Sequence, residues 1–237
     1  MTSPTPTNPV AIITGAGRGI GQATAVELAR RGYDLVLTSR TPADLEQTIA
    51  LAGRGVSLAG DVADPAHAQR LVDLALQRFG RVDGVVNNAG YAPILSLEQV
   101  TLDEWRRIID TNLSAAFYLC KAAWPVMKRQ GGAAIVNISS AAARDPFPGL
   151  GTYGAAKAAI NLLGLALARE GDPLGIRVHT IAPSATETAM FRGIMSPDQV
   201  PTEKIMQPTD VAQIIADCIT GRLKYTSGEV IYLHKTI

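Results

Sequence analysis

The sequence predicts a single-domain α/β fold. Short runs rich in Val, Ile and Ala alternate with longer helical stretches along most of the chain, as expected when strands and covering helices take turns. The first of these runs passes straight into a glycine-rich turn and then a helix. The length, 237 residues, suits one large core.

Residues 1–9 are polar and proline-rich and read as a flexible lead-in to one domain over 10–237. A strand over 10–14 is followed by Gly15-Ala16-Gly17-Arg18-Gly19-Ile20-Gly21, and a helix over about 20–31 has Ala23, Val26, Leu28 and Ala29 as its apolar positions. A helix start behind such a turn can cradle a pyrophosphate, because its unpaired N–H groups face the anion. Glycine lets the backbone turn tightly and come close to a ligand where a Cβ would clash. The common spacing G-x-G-x-x-G is not met, because residue 22 is Gln. The spacing present is Thr14-Gly15-x-x-x-Gly19-x-Gly21.

The second strand, 33–39, ends in Thr38-Ser39-Arg40. In nicotinamide-binding βαβ units an acid at this strand end holds the ribose 2′-hydroxyl. None stands there, and Asp34 lies at the strand start, the wrong edge. Ser39 and Arg40, with Arg18 from the glycine turn, offer hydrogen bonds and charge suited to a 2′-phosphate. The pattern points to NADP(H) over NAD(H).

A helix over 44–52 and a third strand over 56–59 follow, with Asp61-Val62 just past the strand. Asp64-Pro65 is helix-start chemistry for a helix to about 79, on which His67 is expected to be exposed. The fourth strand, 82–86, ends in Asn87-Asn88-Ala89-Gly90, whose amides can pin neighbouring strands or touch a ligand. A helical region over about 101–130 carries Asn112 within an apolar run. Two readings stay open there: a satisfied buried amide, or a bent helix with a bound water. The fifth strand, 133–140, ends in Ser140, and a Pro/Gly-rich loop over 144–151 leads to a helix over 152–170. Its small residues, Gly154 to Ala156 among them, suit close packing.

Tyr153 and Lys157 lie one turn apart on one face of that helix. A cation beside a phenol favours the phenolate and is expected to pull its pKa down from about 10. That makes a proton donor and acceptor usable near neutral pH. The sixth strand, 176–181, contains His179, expected in or near the core. Residues 184–207 are irregular, with a short helix over 188–194, and have the length of a functional lid. A helix over 209–220 and a strand over 228–233 close the chain.

Composition narrows the function. Apolar residues are 47% and charged residues 18%, and 22 basic against 21 acidic residues leave a formal charge of +1. No field of one sign is available for nucleic acid or an anionic membrane. No apolar run approaches the roughly 20 residues of a membrane span. Cys120 and Cys218 fall in helical stretches and are expected to be reduced core thiols, and the three His show no zinc spacing. The expected compartment is the cytoplasm.

The ordered set Thr14-Gly15-x-x-x-Gly19-x-Gly21, Asp61, Asn87-Asn88-Ala89-Gly90, Asn112, Ser140, Tyr153-x-x-x-Lys157 and Pro183 resembles the short-chain dehydrogenase/reductase family from about residue 8 onward, in particular its 3-oxoacyl-(acyl-carrier-protein) reductase-like members. The resemblance implies a Rossmann-type doubly wound fold with a seven-stranded parallel sheet flanked by helices. It implies that Gly15, Gly19, Ile20 and Gly21 meet the pyrophosphate, Asp61 and Val62 the adenine, Asn88, Ala89 and Gly90 the adenosine ribose region, and Pro183 and Thr188 the nicotinamide. Tyr153 would be the general acid or base, and Ser140 would orient the substrate carbonyl. Lys157 would lower the Tyr153 pKa and bind the nicotinamide ribose, and Asn112 would hold a water linking Lys157 to solvent. The family's serine stands thirteen residues before the tyrosine, which selects Ser140 over Ser139.

The implied activity is hydride transfer between NADP(H) and a carbonyl or alcohol, with ketone or aldehyde reduction favoured. Tyr91, Pro93, Phe147, Leu150, Met190 and Phe191 fall in segments expected to line a partly apolar substrate pocket. A homodimer or homotetramer is implied as well. Two other functions stay open: a non-catalytic nicotinamide-binding regulator, and a redox-neutral epimerase or dehydratase using the same Tyr/Lys pair. Three departures stand out. Ser184 replaces the usual glycine after Pro183, which suggests a less permissive backbone. The segment 188–208 is short, which suggests a smaller or more open lid. The ending from Leu233 to Ile237 lacks the usual glycine pair.

Overall fold

The computed structural model describes residues 8–235. Most of the lead-in, 1–7, and the last two residues of the C-terminal ending lie outside the described residues. The strands are β1 (Val10–Thr14), β2 (Asp34–Thr38), β3 (Val56–Ser57), β4 (Gly84–Asn87), β5 (Ala133–Ile138), β6 (Ile176–Pro183) and β7 (Val230–Leu233). They form one all-parallel sheet in the order β3-β2-β1-β4-β5-β6-β7. The helices are α1 (Gly19–Arg30), α2 (Pro42–Ala52), α3 (Pro65–Phe79), α4 (Leu102–Ile109), α5 (Ala115–Gln130), α6 (Gly151–Gly171), α7 (Ala189–Arg192) and α8 (Pro208–Thr220).

Strand side chains alternate between two helical layers. Ala11, Ile13, Leu35, Leu37, Val86 and Val136 pack with Leu28 of α1 and with Val211 and Ile215 of α8. Val10, Ile12, Val36, Val85 and Ile135 pack on the other face with Leu71 of α3 and with Leu119 and Met127 of α5. Covering both faces explains why the strands are apolar throughout rather than alternating. Each fully buried Val, Leu, Ile or Met side chain contributes about 1.5–3 kcal/mol. The strand order reverses between β1 and β4, which opens a crevice at the carboxyl ends of the strands.

Local chemistry sets several helix ends. The Asp64 carboxylate accepts from Ala66 N at 2.9 Å to cap α3, and Thr101 Oγ1 accepts from Glu104 N at 3.1 Å to cap α4. The expected helix over 101–130 is interrupted by a π-helical turn at Asp110–Ser114. Asn112 lies in that turn. Its Nδ2 donates to Ile108 O at 2.9 Å and to Tyr91 O at 2.8 Å, while its Oδ1 accepts from Tyr91 N at 3.2 Å. The amide is therefore satisfied, as the first reading expects, and it sits in a turn of altered helical winding.

His67 departs from expectation: it is buried, not exposed. It falls on the face of α3 that also buries Leu71 and Ala75. Its ring fills the space beside Gly60, where a Cβ would stand 2.4 Å from the imidazole. Nε2 lies 2.8 Å from Thr38 Oγ1, so the ring's polarity is met inside the core. His179 is buried as expected, with Nδ1 3.0 Å from Thr226 Oγ1. Cys120 and Cys218 are free and buried. Among the described residues, no helix is long and apolar enough to cross a membrane and no His/Cys/Asp/Glu group could hold a metal ion.

Candidate active site

A cleft of about 950 Å³ runs along the carboxyl ends of the strands. At its floor the glycine turn joins β1 to α1. Gly15 and Gly19 take left-handed φ values of 63° and 58°. A Cβ at Gly21 would lie 2.2 Å from Gly15 O and 2.5 Å from Asn88 Nδ2. Asn88 pins this turn across the switch point: its Nδ2 donates to Thr14 O at 3.0 Å and to Gly15 O at 3.1 Å. Thr14 Oγ1 returns the favour by accepting from Asn88 N and Ala89 N, both at 3.0 Å. Gln22, which breaks the commoner glycine spacing, instead supports the turn. Its Nε2 donates to Gly17 O at 3.3 Å and to Thr48 Oγ1 at 3.1 Å.

One end of the cleft is lined by Arg18, Ser39, Arg40, Thr41, Asp61 and Val62. Arg18 and Arg40 are exposed and form no ion pair among the described residues. Asp44, from the first turn of α2, also lines this end. Sequence reasoning passed over it because an acid in a first helical turn is ordinary helix chemistry.

In the middle stand Ser140, Tyr153, Lys157 and the backbone of Gly90. Ser140 ends the extended segment after β5, and its Oγ accepts from Ala142 N at 3.1 Å, capping a 3₁₀ turn at Ala141–Ala143. Helix α6 presses against that turn through Gly154, where a Cβ would be 2.5 Å from Ala142 O. The close approach holds Tyr153 in place relative to Ser140. The Ser139 hydroxyl turns away and donates to Lys157 O at 3.1 Å, which leaves Ser140 as the serine available to a ligand. Lys157 Nζ lies 5.6 Å from the Tyr153 ring centroid and donates to Ile138 O at 2.8 Å. A Cβ at Gly90 would stand 3.2 Å from Asn112 Oδ1 and 3.8 Å from Lys157 Nζ, so those two groups flank the same backbone point.

The electrostatics of this pair differ from the sequence expectation. Burial pushes the Tyr153 phenol up to about 12, with the Ser140 hydroxyl pulling weakly the other way. Burial also pulls the Lys157 ammonium down to about 8. Burial dominates both shifts, so the phenol of the protein chain stands above its ordinary value rather than below it.

The far end is lined by Tyr91, Phe147, Leu150, Met190, Phe191 and Ile194, while Pro93 is not part of the wall. Tyr91 is held from outside: its hydroxyl donates to Glu104 Oε2 at 3.0 Å and the Arg107 guanidinium sits 4.0 Å over its ring. The loop after β6 is tied down rather than open. Arg192 donates to both carboxylate oxygens of Glu187, at 2.7 and 2.5 Å, and to Val200 O at 2.7 Å. Thr202 Oγ1 donates to Glu187 Oε2 at 2.8 Å. Ser184 costs the backbone nothing, since no described non-glycine residue has a positive φ. Its N–H donates to Leu233 O at 2.9 Å. Thr188 caps α7 by accepting from Phe191 N at 3.2 Å, and its methyl would lie 3.2 Å from a Cβ at Gly19. The loop therefore reaches over the glycine turn.

The family model described as short chain dehydrogenase matches residues 9–199. The chain belongs to the short-chain dehydrogenase family. This short-chain dehydrogenase is 32% identical to cyclohexanol dehydrogenase of Acinetobacter sp. over 229 residues, covering 93% of this chain and 91% of that relative. It is 31% identical to the 3-oxoacyl-(acyl-carrier-protein) reductase of Staphylococcus aureus over 235 residues, covering 94% and 96%. Among solved structures it is similar to the 3-ketoacyl-(acyl-carrier-protein) reductase of Brucella melitensis complexed with NADH, with a TM-score of 0.90, 30% identity and coverage of 95% and 96%. Levodione reductase gives a TM-score of 0.89 at 28% identity, with 96% of each chain covered.

Proposed function

We propose that this short-chain dehydrogenase reduces a ketone or aldehyde with NADPH, using Tyr153 as general acid. The observation that carries the reading is the convergence of Ser140, Tyr153 and Lys157 in the middle of one cleft whose floor is the glycine turn. That turn fits a dinucleotide pyrophosphate, because residues 15 and 19 are left-handed and position 21 has no room for a Cβ. Gly15, Gly19, Ile20 and Gly21 hold the pyrophosphate, and Asn88, Ala89 and Gly90 the adjoining ribose. Asp61 and Val62 flank the adenine, and Arg18, Ser39 and Arg40 receive a 2′-phosphate. Pro183 and Thr188 border the nicotinamide.

The nicotinamide, when bound, supplies the hydride. The Tyr153 phenol donates a proton to the substrate oxygen, and in the alcohol-oxidising direction its phenolate accepts one. The Ser140 hydroxyl donates a hydrogen bond to the same oxygen, where negative charge develops. Lys157 faces the phenol, holds the ribose and favours the phenolate when charged. Asn112 holds a water that links Lys157 to solvent. Tyr91, Phe147, Leu150, Met190 and Phe191 receive the apolar part of the substrate. The exposed Leu102, Trp105, Phe117 and Leu162 on α4, α5 and α6 support self-association as a homodimer or homotetramer. Cytoplasmic placement accords with two free, buried thiols.

Replacing Tyr153 by Phe tests the reading. We expect loss of turnover on a panel of ketones and aldehydes, by roughly 10²-fold or more, with NADPH binding retained. Turnover near the wild-type rate would reject Tyr153 as the acid. Consumption of NADPH in step with substrate also separates this activity from a redox-neutral epimerase.

A further inference from the structure

We propose that Asp44 limits the preference for a 2′-phosphorylated cofactor, so that this short-chain dehydrogenase discriminates only modestly between NADP(H) and NAD(H). The inference rests on the reading that the adenosine 2′ end lies against Ser39 and Arg40.

Asp44 lines the cleft together with Gly17, Arg18, Ser39, Arg40 and Thr41. A Cβ at Gly17 would stand 2.7 Å from Asp44 Cβ and 3.0 Å from Ser39 Oγ. The acid and the serine thus close around one backbone point on the glycine turn. Ser39 Oγ donates to Thr41 O at 3.2 Å, which leaves its oxygen free to accept. The Asp44 carboxylate receives no hydrogen bond and makes no ion pair among the described residues, and Thr48 Oγ1 donates to the backbone oxygen of Asp44 rather than to its side chain. In particular it is not held by Arg40, so orienting that guanidinium is not its role.

The half-buried carboxylate lines the same cleft as Arg18 and Arg40, which form no ion pair among the described residues, and its charge opposes theirs. A phosphate on the 2′ oxygen is repelled by Asp44 and drawn by Arg18 and Arg40. A free 2′-hydroxyl can instead donate to the carboxylate, the interaction that selects NAD(H) in other nicotinamide-binding folds. The first turn of α2 also gains from an acid, but that contribution is indifferent to the cofactor.

The test is calorimetric titration of the full chain with 2′,5′-ADP and with 5′-AMP, for wild type, Asp44→Asn, Asp44→Ser and Arg40→Ala. Both Asp44 variants should raise the affinity for 2′,5′-ADP relative to 5′-AMP by about 3- to 10-fold. The gain should shrink in about 1 M salt, where the Debye length is near 3 Å. Arg40→Ala should move the ratio the other way. An unchanged ratio in both Asp44 variants, or equal loss of both ligands, would overturn the proposal while a lowered ratio in Arg40→Ala left the 2′-phosphate reading intact. An unchanged ratio in Arg40→Ala as well would reject both.

Discussion

Replacing Lys157 by Met should alter how stability depends on pH, and the size of the change follows from burial. Lys157 is 3% exposed, and its ammonium donates to Ile138 O at 2.8 Å. Desolvation lowers its pKa from 10.5 to about 8. A group whose folded pKa is depressed binds fewer protons folded than unfolded between those two values. Its stabilising contribution is complete above the unfolded pKa and is lost as pH falls through the folded one. At neutral pH the charged lysine therefore costs the fold about 3 kcal/mol relative to a lysine with an unshifted pKa. Raising the pH from about 7 to 9 relieves on the order of 1 kcal/mol of that cost.

Urea denaturation of wild type and Lys157→Met at both pH values isolates the effect, because contributions from all other groups cancel in the difference. Tyr153, pushed up to about 12, and the two thiols, also pushed up to about 12, lose stability as pH rises, but they do so in both proteins. Wild type should gain on the order of 1 kcal/mol on the variant over this interval. Parallel stability curves would refute the depressed pKa, and with it the claim that burial sets the ionisation of Lys157.

Gly21→Ala should cost about 1–3 kcal/mol or more, because the new Cβ would meet Gly15 O at 2.2 Å and cannot move without displacing Asn88. A melting temperature lower by several degrees and weakened NADPH binding by calorimetry are expected; an unchanged melting temperature would show that the turn has slack. The two serines should separate cleanly. Ser139→Ala removes a buried bond to Lys157 O and should lower stability by about 1 kcal/mol, read by urea denaturation. Ser140→Ala should instead cut turnover by roughly 10²-fold or more, and the reverse pattern would exchange their roles.

Much of this architecture is legible in the sequence because it rests on local signals. Apolar runs bounded by turns mark the strands, and Asp64-Pro65 and Thr101 mark helix starts through bonds spanning two or three residues. The spacing of Gly15, Gly19 and Gly21 and the one-turn separation of Tyr153 from Lys157 are likewise properties of short segments. The short β3, Val56–Ser57 against an expected 56–59, lies at the sheet edge, where one partner strand rather than two sets the ladder length.

What depended on distant contacts was not legible. His67 looks like a surface residue in α3, but its ring is taken up by Gly60 and Thr38, which belong to other parts of the chain. The openness of the loop after β6 is decided by Arg192 reaching Glu187 and Val200. By itself the sequence determined the order of strands and helices, the glycine turn and the set of side chains that meet at Ser140, Tyr153 and Lys157. Only the tertiary structure decided their ionisation and the placement of Asp44 beside Ser39. Burial and local field are sums over groups brought together by the fold, and no short stretch of chain contains them.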